Sequence, residues 1–217
     1  GFASGESAFA LIWEHFKGSY TNTTVILWSI YYSISFCMYF QIFAYVQVLW
    51  LSIDDNAFWN GAVDSMYTAL AGLMTVWAGR ISISWVQNQT PTLLILILTS
   101  ILQGVIIFFA ATSSNLVQCY IMFILYGGIY SFSISICATK IAESISEDSY
   151  GLVFGFNTFI ALVIQTCLTL SVVSSGFMLT PYGQYFVYAC IYFSLGGAYL
   201  IKLLIDEYRI FNIFLFC

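Results

Sequence analysis

Six apolar runs, separated by short polar breaks, constrain this chain more than any other feature of its sequence. They cover residues 25–53, 59–79, 92–112, 116–141, 151–174 and 184–205. A helix needs about 20 apolar residues to cross the hydrocarbon core of a bilayer, and every run has that length. Only 7% of the residues are charged, whereas soluble proteins carry about 25%. The sequence therefore predicts an all-α, polytopic membrane protein with six transmembrane helices.

The basic residues indicate how these runs are oriented. A six-span layout puts all five of them on one side of the membrane: Lys17, Arg80, Lys140, Lys202 and Arg209. Because basic residues concentrate in cytoplasmic segments, we expect both ends of the chain to be cytoplasmic. On this layout residues 1–24 form a juxtamembrane segment, residues 25–205 form the helical bundle, and residues 206–217 form a cytoplasmic tail.

The composition also argues against several classes of function. The formal net charge of -5 argues against a nucleic-acid partner, which needs a basic face. No Cys/His pair has the spacing of metal ligands, and no nucleophile motif or paired carboxylates occur, so we expect neither enzymatic activity nor a metal or cofactor. The chain begins with Gly1 rather than Met, and no cleavable signal peptide precedes the apolar runs, so we expect it to belong to a longer protein.

One acid lies well inside an apolar run, in the stretch WNGAVDSMYTALAGLM at residues 59–74. Charged groups at membrane depth are costly and nearly always face a bundle interior or a water-filled cavity. Helical spacing puts Asn60, Asp64 and either Tyr67 or Thr68 on one stripe. Two interpretations follow: the acid is hydrogen-bonded between helices, or it takes part in binding a ligand or ion.

Polar stripes recur in three other runs. They pair Gln41 with Tyr45 in the first run, Tyr126 with Tyr130 in the fourth, and Asn157 with Gln165 in the fifth. A single stripe of this kind is typical of a helix–helix contact. Because such stripes occur in four of the six runs, we predict a shared polar cavity that these six residues line together with Asn60 and Asp64.

Several stretches resemble one family of transporters. The sequence YGLVFGFNTFIALVIQTCLTLSVV, residues 150–173, is similar to the eleventh helix of the reduced folate and thiamine carriers. The stretches YFQIFAYVQVLW, WNGAVDSMYTALAG and CYIMFILYGGIY resemble, in order, helices seven, eight and ten of that family. The resemblance runs from about residue 11 to residue 209.

The resemblance implies the major facilitator fold, in which two six-helix bundles enclose a central substrate site and alternate its access. This chain would be the C-terminal bundle, in the plasma membrane, with the N-terminal six-helix half of the same protein as its partner. The expected substrate is thiamine or a reduced folate.

The expected charge of the cavity favours thiamine, because folate is an anion and thiamine a cation. Folate carriers of this family have basic residues at the positions that match Gly127 and Gln165, and neither residue here can pair with a carboxylate. The thiamine carriers resemble this chain at Gln165, but they too tend to be basic at the position of Gly127 and to have Asn at that of Ala44. Asp64 could offset a positive charge, while Tyr45, Tyr126 or Tyr130 could stack on a flat or cationic ring.

Three alternatives to a thiamine carrier stay open at this point. The first is a reduced folate carrier, and the other two are a membrane receptor or a scaffold that transports nothing. A second, related six-span bundle elsewhere in the full-length protein would favour a carrier.

Overall fold

A computed structural model describes the backbone of residues 3–54, 59–85, 89–174 and 176–216, and the side chains of residues 10, 13–54, 59–81, 89–174 and 176–208. The described backbone is helical, with no strand. Its helices are α1 (Ala3–Thr21), α2 (Thr23–Ile53), α3 (Asn60–Trp85), α4 (Gln89–Thr112), α5 (Leu116–Glu143), α6 (Tyr150–Thr169) and α7 (Pro181–Phe216). A 3-10 turn (Glu147–Ser149) precedes α6, and a π-helical turn (Leu170–Ser174) follows it. The prediction of an all-α membrane protein is confirmed.

Each predicted span coincides with one of the helices α2 to α7. Within the part of the chain that the structure describes, five helical segments are long and apolar enough to cross a membrane: Thr23–Ile53, Gln89–Thr112, Leu116–Glu143, Glu147–Ser174 and Pro181–Tyr208. The helix α3 is not among them, although its 26 residues would reach about 39 Å at 1.5 Å per residue. Asn60, Asp64 and Arg80 interrupt its apolar sequence, which lowers its hydropathy.

Two helices run further than the apolar runs that predicted them. The helix α3 continues through Arg80 to Trp85, and α7 continues to Phe216. The segment predicted as a tail from residue 206 is therefore a continuation of α7 as far as Phe216. A charged residue ends an apolar run without ending a helix, because Arg and Lys are good helix formers.

The helices start at side chains suited to that role. The Asn22 side chain accepts a hydrogen bond from the backbone N–H of Thr24 at 2.9 Å, and Asn115 accepts one from Val117 at 2.9 Å. These caps satisfy backbone donors that lack a partner in the first turns of α2 and α5. Pro181 is the first residue of α7, where its missing N–H is tolerated.

Contacts between side chains establish the directions of the helices. The ring of Tyr39 stacks on Tyr130 at 4.8 Å and Trp50 contacts Tyr120 at 4.8 Å, so α2 and α5 are antiparallel. By the same reasoning α3 is parallel to α5, α6 is parallel to α2, and α4 is antiparallel to α7. The starts of α2, α4 and α6 therefore share one end of the bundle with the ends of α3, α5 and α7.

The two ends of the bundle differ in charge. Lys17, Arg80, Lys140 and Lys202, the four basic residues whose side chains are described, all lie towards the end where α2 starts, which we call the basic end. Lys140 forms an ion pair with Glu143 at 3.2 Å, and Lys202 pairs with Asp206. This distribution agrees with the single-sided pattern predicted from the sequence.

The helices α2 and α5 form the centre of the bundle, with α3 packed on α5, α6 packed on α2, and α4 and α7 packed on each other. The hydrophobic core forms two clusters. One includes Trp28, Tyr31 and Leu96 near the basic end, and the other surrounds Trp50 and Tyr126 towards the opposite end. The helix α6 contributes only a narrow buried stripe, and α1 lies against α2, α6 and the 3-10 turn.

Candidate functional site

A cavity of about 590 Å³ lies between α2, α3 and α5. Half of its lining residues are aromatic. The lining consists of Tyr32, Phe36, Tyr39 and Phe40 from α2, Tyr67, Thr68 and Ala71 from α3, and Tyr130, Ser131, Ile134, Ser135 and Ala138 from α5. We call this space the aromatic cavity. None of these twelve described residues carries a charge, so the lining offers rings and hydroxyls rather than ion-pair partners.

The rings of the aromatic cavity form a continuous wall. On α2, Tyr32 stacks on Phe36 with ring centroids 5.5 Å apart, and Phe36 stacks on Tyr39 at 6.1 Å. Tyr39 then stacks on Tyr130 of α5 at 4.8 Å, with the two ring planes only 7° apart. A wall of this kind suits a flat ring or a cation, since aromatic faces attract both.

Asp64 lies one turn of α3 before Thr68, which lines the aromatic cavity. The Thr68 hydroxyl, at the cavity, donates to the Asp64 backbone carbonyl at 2.9 Å. The carboxylate is partly exposed, and by helical spacing it shares a stripe with Thr68 and Ala71. The described part of the chain contains two ion pairs, Lys140–Glu143 and Lys202–Asp206, and neither includes Asp64. This acid therefore has no cationic partner among the described side chains.

The other predicted residues of α3 and α5 have different surroundings. Asn60 accepts a hydrogen bond from the Tyr120 hydroxyl at 2.8 Å, which links the two helices. Tyr126 is completely buried and shares a 2.8 Å hydrogen bond with Tyr192 of α7. Tyr130 is the only one of the eight predicted site residues among the described lining of the aromatic cavity.

Gln41, Asn157 and Gln165 of α2 and α6 belong to two separate hydrogen-bond networks. The Gln41 amide donates to the Thr169 hydroxyl at 3.0 Å and to the Gln165 backbone carbonyl at 3.2 Å. The Asn157 amide donates to Ser29 at 3.0 Å, and its carbonyl accepts from Tyr20 of α1 at 2.8 Å. These side chains join helices to one another.

A smaller cavity of about 210 Å³ lies beside Asn157, between α1, α2 and α6. Tyr45 lies apart from both networks and packs, partly buried, against the core cluster around Trp50. The structure therefore does not bring the eight predicted residues to a single shared cavity.

Most residues of the aromatic cavity were not predicted from the sequence as site residues. Tyr32, Phe36 and Tyr39 repeat at the spacing of one helix face, and this spacing was the available signal. Aromatic residues at this spacing also occur on helix faces that contact lipid or pack in a core. The spacing alone therefore does not tell a cavity wall from either of these faces. Tyr67 appeared only as one of two options on the Asp64 stripe.

Among the residues that the structure describes, no group of three His, Cys, Asp or Glu side chains lies close enough together to hold a metal ion.

The chain is also similar in sequence to a known family of membrane transporters. The family model described as reduced folate carrier matches residues 2–187. Human thiamine transporter 1 is 36% identical over 189 residues, which cover 85% of this chain and 37% of that protein. The mouse reduced folate transporter is 35% identical over 146 residues, covering 67% of this chain and 28% of that protein. Folate transporter 1 of Caenorhabditis elegans is 29% identical over 86% of this chain and 41% of that protein. The chain thus spans about two fifths or less of the length of these relatives.

Proposed function

Since the chain belongs to the reduced folate carrier family, we propose that it forms the C-terminal six-helix bundle of a vitamin transporter in the plasma membrane, with thiamine as its substrate. On this proposal the protein moves its substrate without chemical change, so it is a carrier rather than an enzyme. The N-terminal six-helix half supplies the other wall of the site, and the two bundles alternate access to it.

The charge around the aromatic cavity is the observation that carries the choice of thiamine. Its described lining has six rings and no basic residue, and Asp64 lies one turn away without a described cationic partner. A cation over an aromatic face gains about 0.5–2 kcal/mol. A flat, positively charged heterocycle would use both features, with Tyr39, Tyr67 and Tyr130 as ring contacts and Asp64 as counter-charge.

The predicted residues outside this cavity have a supporting role in the proposal. Asn60 positions the Asp64 stripe through its hydrogen bond to Tyr120. Gln41 and Asn157, together with the Gln165 backbone carbonyl, hold α6 on α2. Tyr126 supports Tyr130, whose ring lies 6.0 Å from its own.

A reduced folate carrier is the second candidate, because named folate transporters match the chain at comparable identity. Folate carries carboxylates, which need cations or several hydrogen-bond donors when removed from water. The four described basic side chains lie towards the basic end, away from Asp64. A folate site would therefore take its cations from the N-terminal half.

The deciding experiment is uptake of labelled thiamine and labelled folate by the full-length gene product in cells that lack both activities. We expect saturable thiamine uptake that thiamine analogues inhibit, with human thiamine transporter 1 as the positive control. Folate uptake without thiamine uptake would select the second candidate. Surface-expressed protein that takes up neither vitamin would reject the carrier function and favour a receptor or scaffold.

The proposed orientation has its own test. In a background without native cysteines, single cysteines at Asp54 and Asn115 lie at the end opposite to the basic end, and a cysteine at Ser146 lies at the basic end. The first two should react with an impermeant reagent on intact cells, and the third only after permeabilisation, because basic segments stay cytoplasmic. The reverse pattern would contradict the orientation.

A further inference from the structure

Tyr67 of α3 lies unusually close to the backbone of α5. A Cβ atom built on Gly127 would lie 2.2 Å from Cε2 of Tyr67 and 2.3 Å from its Cδ2. These distances are far below van der Waals contact, so one edge of the ring occupies the place where any other residue would put its side chain. Glycine at position 127 is therefore required for this position of the ring.

The ring of Tyr67 has little freedom to move elsewhere within the bundle. It is only 6% exposed and stacks on Phe123 of α5 at 4.6 Å, with ring planes 21° apart. Gly127 and Phe123 are four residues apart, so they hold the ring on one face of α5. The remaining side of the ring borders the aromatic cavity, where Tyr67 is a lining residue.

The hydroxyl of Tyr67 is used differently from those of most tyrosines that stabilise the bundle. Five of those use their hydroxyls within the protein: Tyr120 bonds to Asn60, Tyr126 to Tyr192, Tyr31 to Ser100, Tyr185 to the Ile42 carbonyl and Tyr199 to the Leu27 carbonyl. The hydroxyl of Tyr67 forms no hydrogen bond with a described residue. Tyr188 also lacks a described hydrogen-bond partner, but its hydroxyl is fully buried. The hydroxyl of Tyr67 is not fully buried, and Tyr67 lines the aromatic cavity, so this hydroxyl is available to a bound molecule.

We propose that Tyr67 contacts the substrate directly, through its ring and its hydroxyl, and that Gly127 is the positioning residue that keeps Tyr67 out of the cavity volume. The substrate class is a flat heterocycle with a hydrogen-bond donor or acceptor at its edge. This inference rests on the proposed transport function. Any side chain at position 127 pushes the ring away from α5, and the space on its open side is the aromatic cavity.

The neighbouring glycine supplies a matched control. A Cβ on Gly128 would lie 2.9 Å from Cγ and Cδ2 of Leu70, on the same pair of helices. Leu70 is not among the described lining residues of the aromatic cavity, so Gly128→Ala disturbs the contact between α3 and α5 without displacing a cavity ring. Gly72, which has nothing within 4 Å, serves as the control for an uncrowded glycine on α3.

The test is thiamine uptake by variants of the full-length protein, with folate measured in parallel and rates divided by the amount of protein at the cell surface. Gly127→Ala should raise KM about fivefold or more, since overpacking narrows the site. Gly128→Ala and Gly72→Ala should leave KM within about twofold. A KM for Gly127→Ala equal to that of Gly128→Ala would overturn the inference.

A double-mutant cycle identifies the route of the effect. If Gly127 acts through Tyr67, then Gly127→Ala should change KM less than about twofold once Tyr67 is already alanine. If the changes in KM caused by Gly127→Ala and Tyr67→Ala simply multiply in the double variant, Gly127 does not act through Tyr67 and the positioning role is overturned.

A second variant covers the case in which Gly127→Ala does not fold. Tyr67→Phe keeps the ring against Gly127 and Phe123 and removes only the hydroxyl, so KM should rise about threefold or more. Tyr185→Phe, which removes a hydroxyl bonded within the protein, is its control and should leave KM unchanged. An unchanged KM in Tyr67→Phe would overturn the hydroxyl contact. If the wild-type protein takes up neither vitamin, the proposed function and this inference fail together, whereas normal wild-type uptake with unaltered variants rejects the inference alone.

Discussion

The two parallel helix pairs of this bundle, α3 on α5 and α6 on α2, occupy equivalent places beside the central helices but use different chemistry. Between α2 and α6 the contacts are hydrogen bonds from long amides, above all those of Gln41 and Asn157. Between α3 and α5 one hydrogen bond joins Tyr120 to Asn60, and the Tyr67 ring packs directly on Gly127, where a side chain would not fit. In membranes, both small residues and polar side chains promote helix association.

This difference decides which polar groups are available for binding. The amides of Gln41 and Asn157, between α2 and α6, have partners on neighbouring helices. Beside the α3–α5 pair, the Asp64 carboxylate has no described cationic partner. The Tyr67 hydroxyl has no described hydrogen bond there. We infer from this comparison that the α3–α5 side is the binding wall, and that the α2–α6 side is mainly structural.

Removing the charge of Asp64 should produce the largest effect on the binding wall. In the full-length protein, Asp64→Asn should weaken thiamine uptake about tenfold or more, which corresponds to about 1.4 kcal/mol. Surface expression should persist, because neutralising an acid inside a span lowers its insertion cost. Asp64→Glu should retain part of the activity, since it keeps the charge. Asp148→Asn, at an exposed acid of the 3-10 turn, is the control, and normal uptake by Asp64→Asn would show that the acid is structural.

Asn157→Ala should affect stability rather than binding. It removes two hydrogen bonds, to Ser29 and Tyr20, and interhelical hydrogen bonds in membranes average about 0.6 kcal/mol each. We expect the thermal midpoint of the purified protein to fall, with KM for uptake within about twofold of the wild type. A raised KM with an unchanged midpoint would instead make Asn157 a binding residue.

A comparison of the two glutamines sharpens the same point. Gln41→Ala removes the amide that bonds to Thr169 and to the Gln165 carbonyl, and should destabilise the protein by about 0.6 kcal/mol for each of these two bonds. Gln165→Ala should have less effect, because residue 165 accepts this bond through its backbone, which the substitution keeps. Thermal denaturation of both variants measures the difference, and a larger loss in Gln165→Ala would contradict the assigned network.

The smallest effect is expected at Gly104, in the α4–α7 contact. A Cβ there would lie 2.8 Å from Cε1 of Phe193, slightly closer than the 2.9 Å contact at Gly128. Phe193 is 38% exposed, so its ring can rotate towards the lipid. Gly104→Ala should therefore change stability by less than about 0.5 kcal/mol, in the range of ordinary surface substitutions. A loss as large as that of Gly128→Ala would mean that close approach alone, rather than the freedom of the neighbouring ring, sets the effect.

Part of the candidate site could be predicted from the sequence. The position of Asp64 within a span and the stripe it shares with Asn60 and Thr68 follow from helical spacing, and the structure keeps them on one side of α3. The spacing of Tyr32, Phe36 and Tyr39 also follows from the sequence, but their orientation towards a cavity does not. Gln41 and Asn157 looked like cavity residues because a stripe contains no information about what lies opposite to it.

The sequence by itself determined that this chain is a bundle of membrane-spanning helices with its basic residues at one end. Runs of apolar residues and the position of charges are local properties, and the hydrophobic thickness of the bilayer acts on each run separately. Only the tertiary structure decided which stripes face one another, that Tyr67 lies on Gly127, and that α2, α3 and α5 enclose the aromatic cavity. Those features depend on contacts between residues far apart in the chain, where the shape of one side chain determines the space left for another.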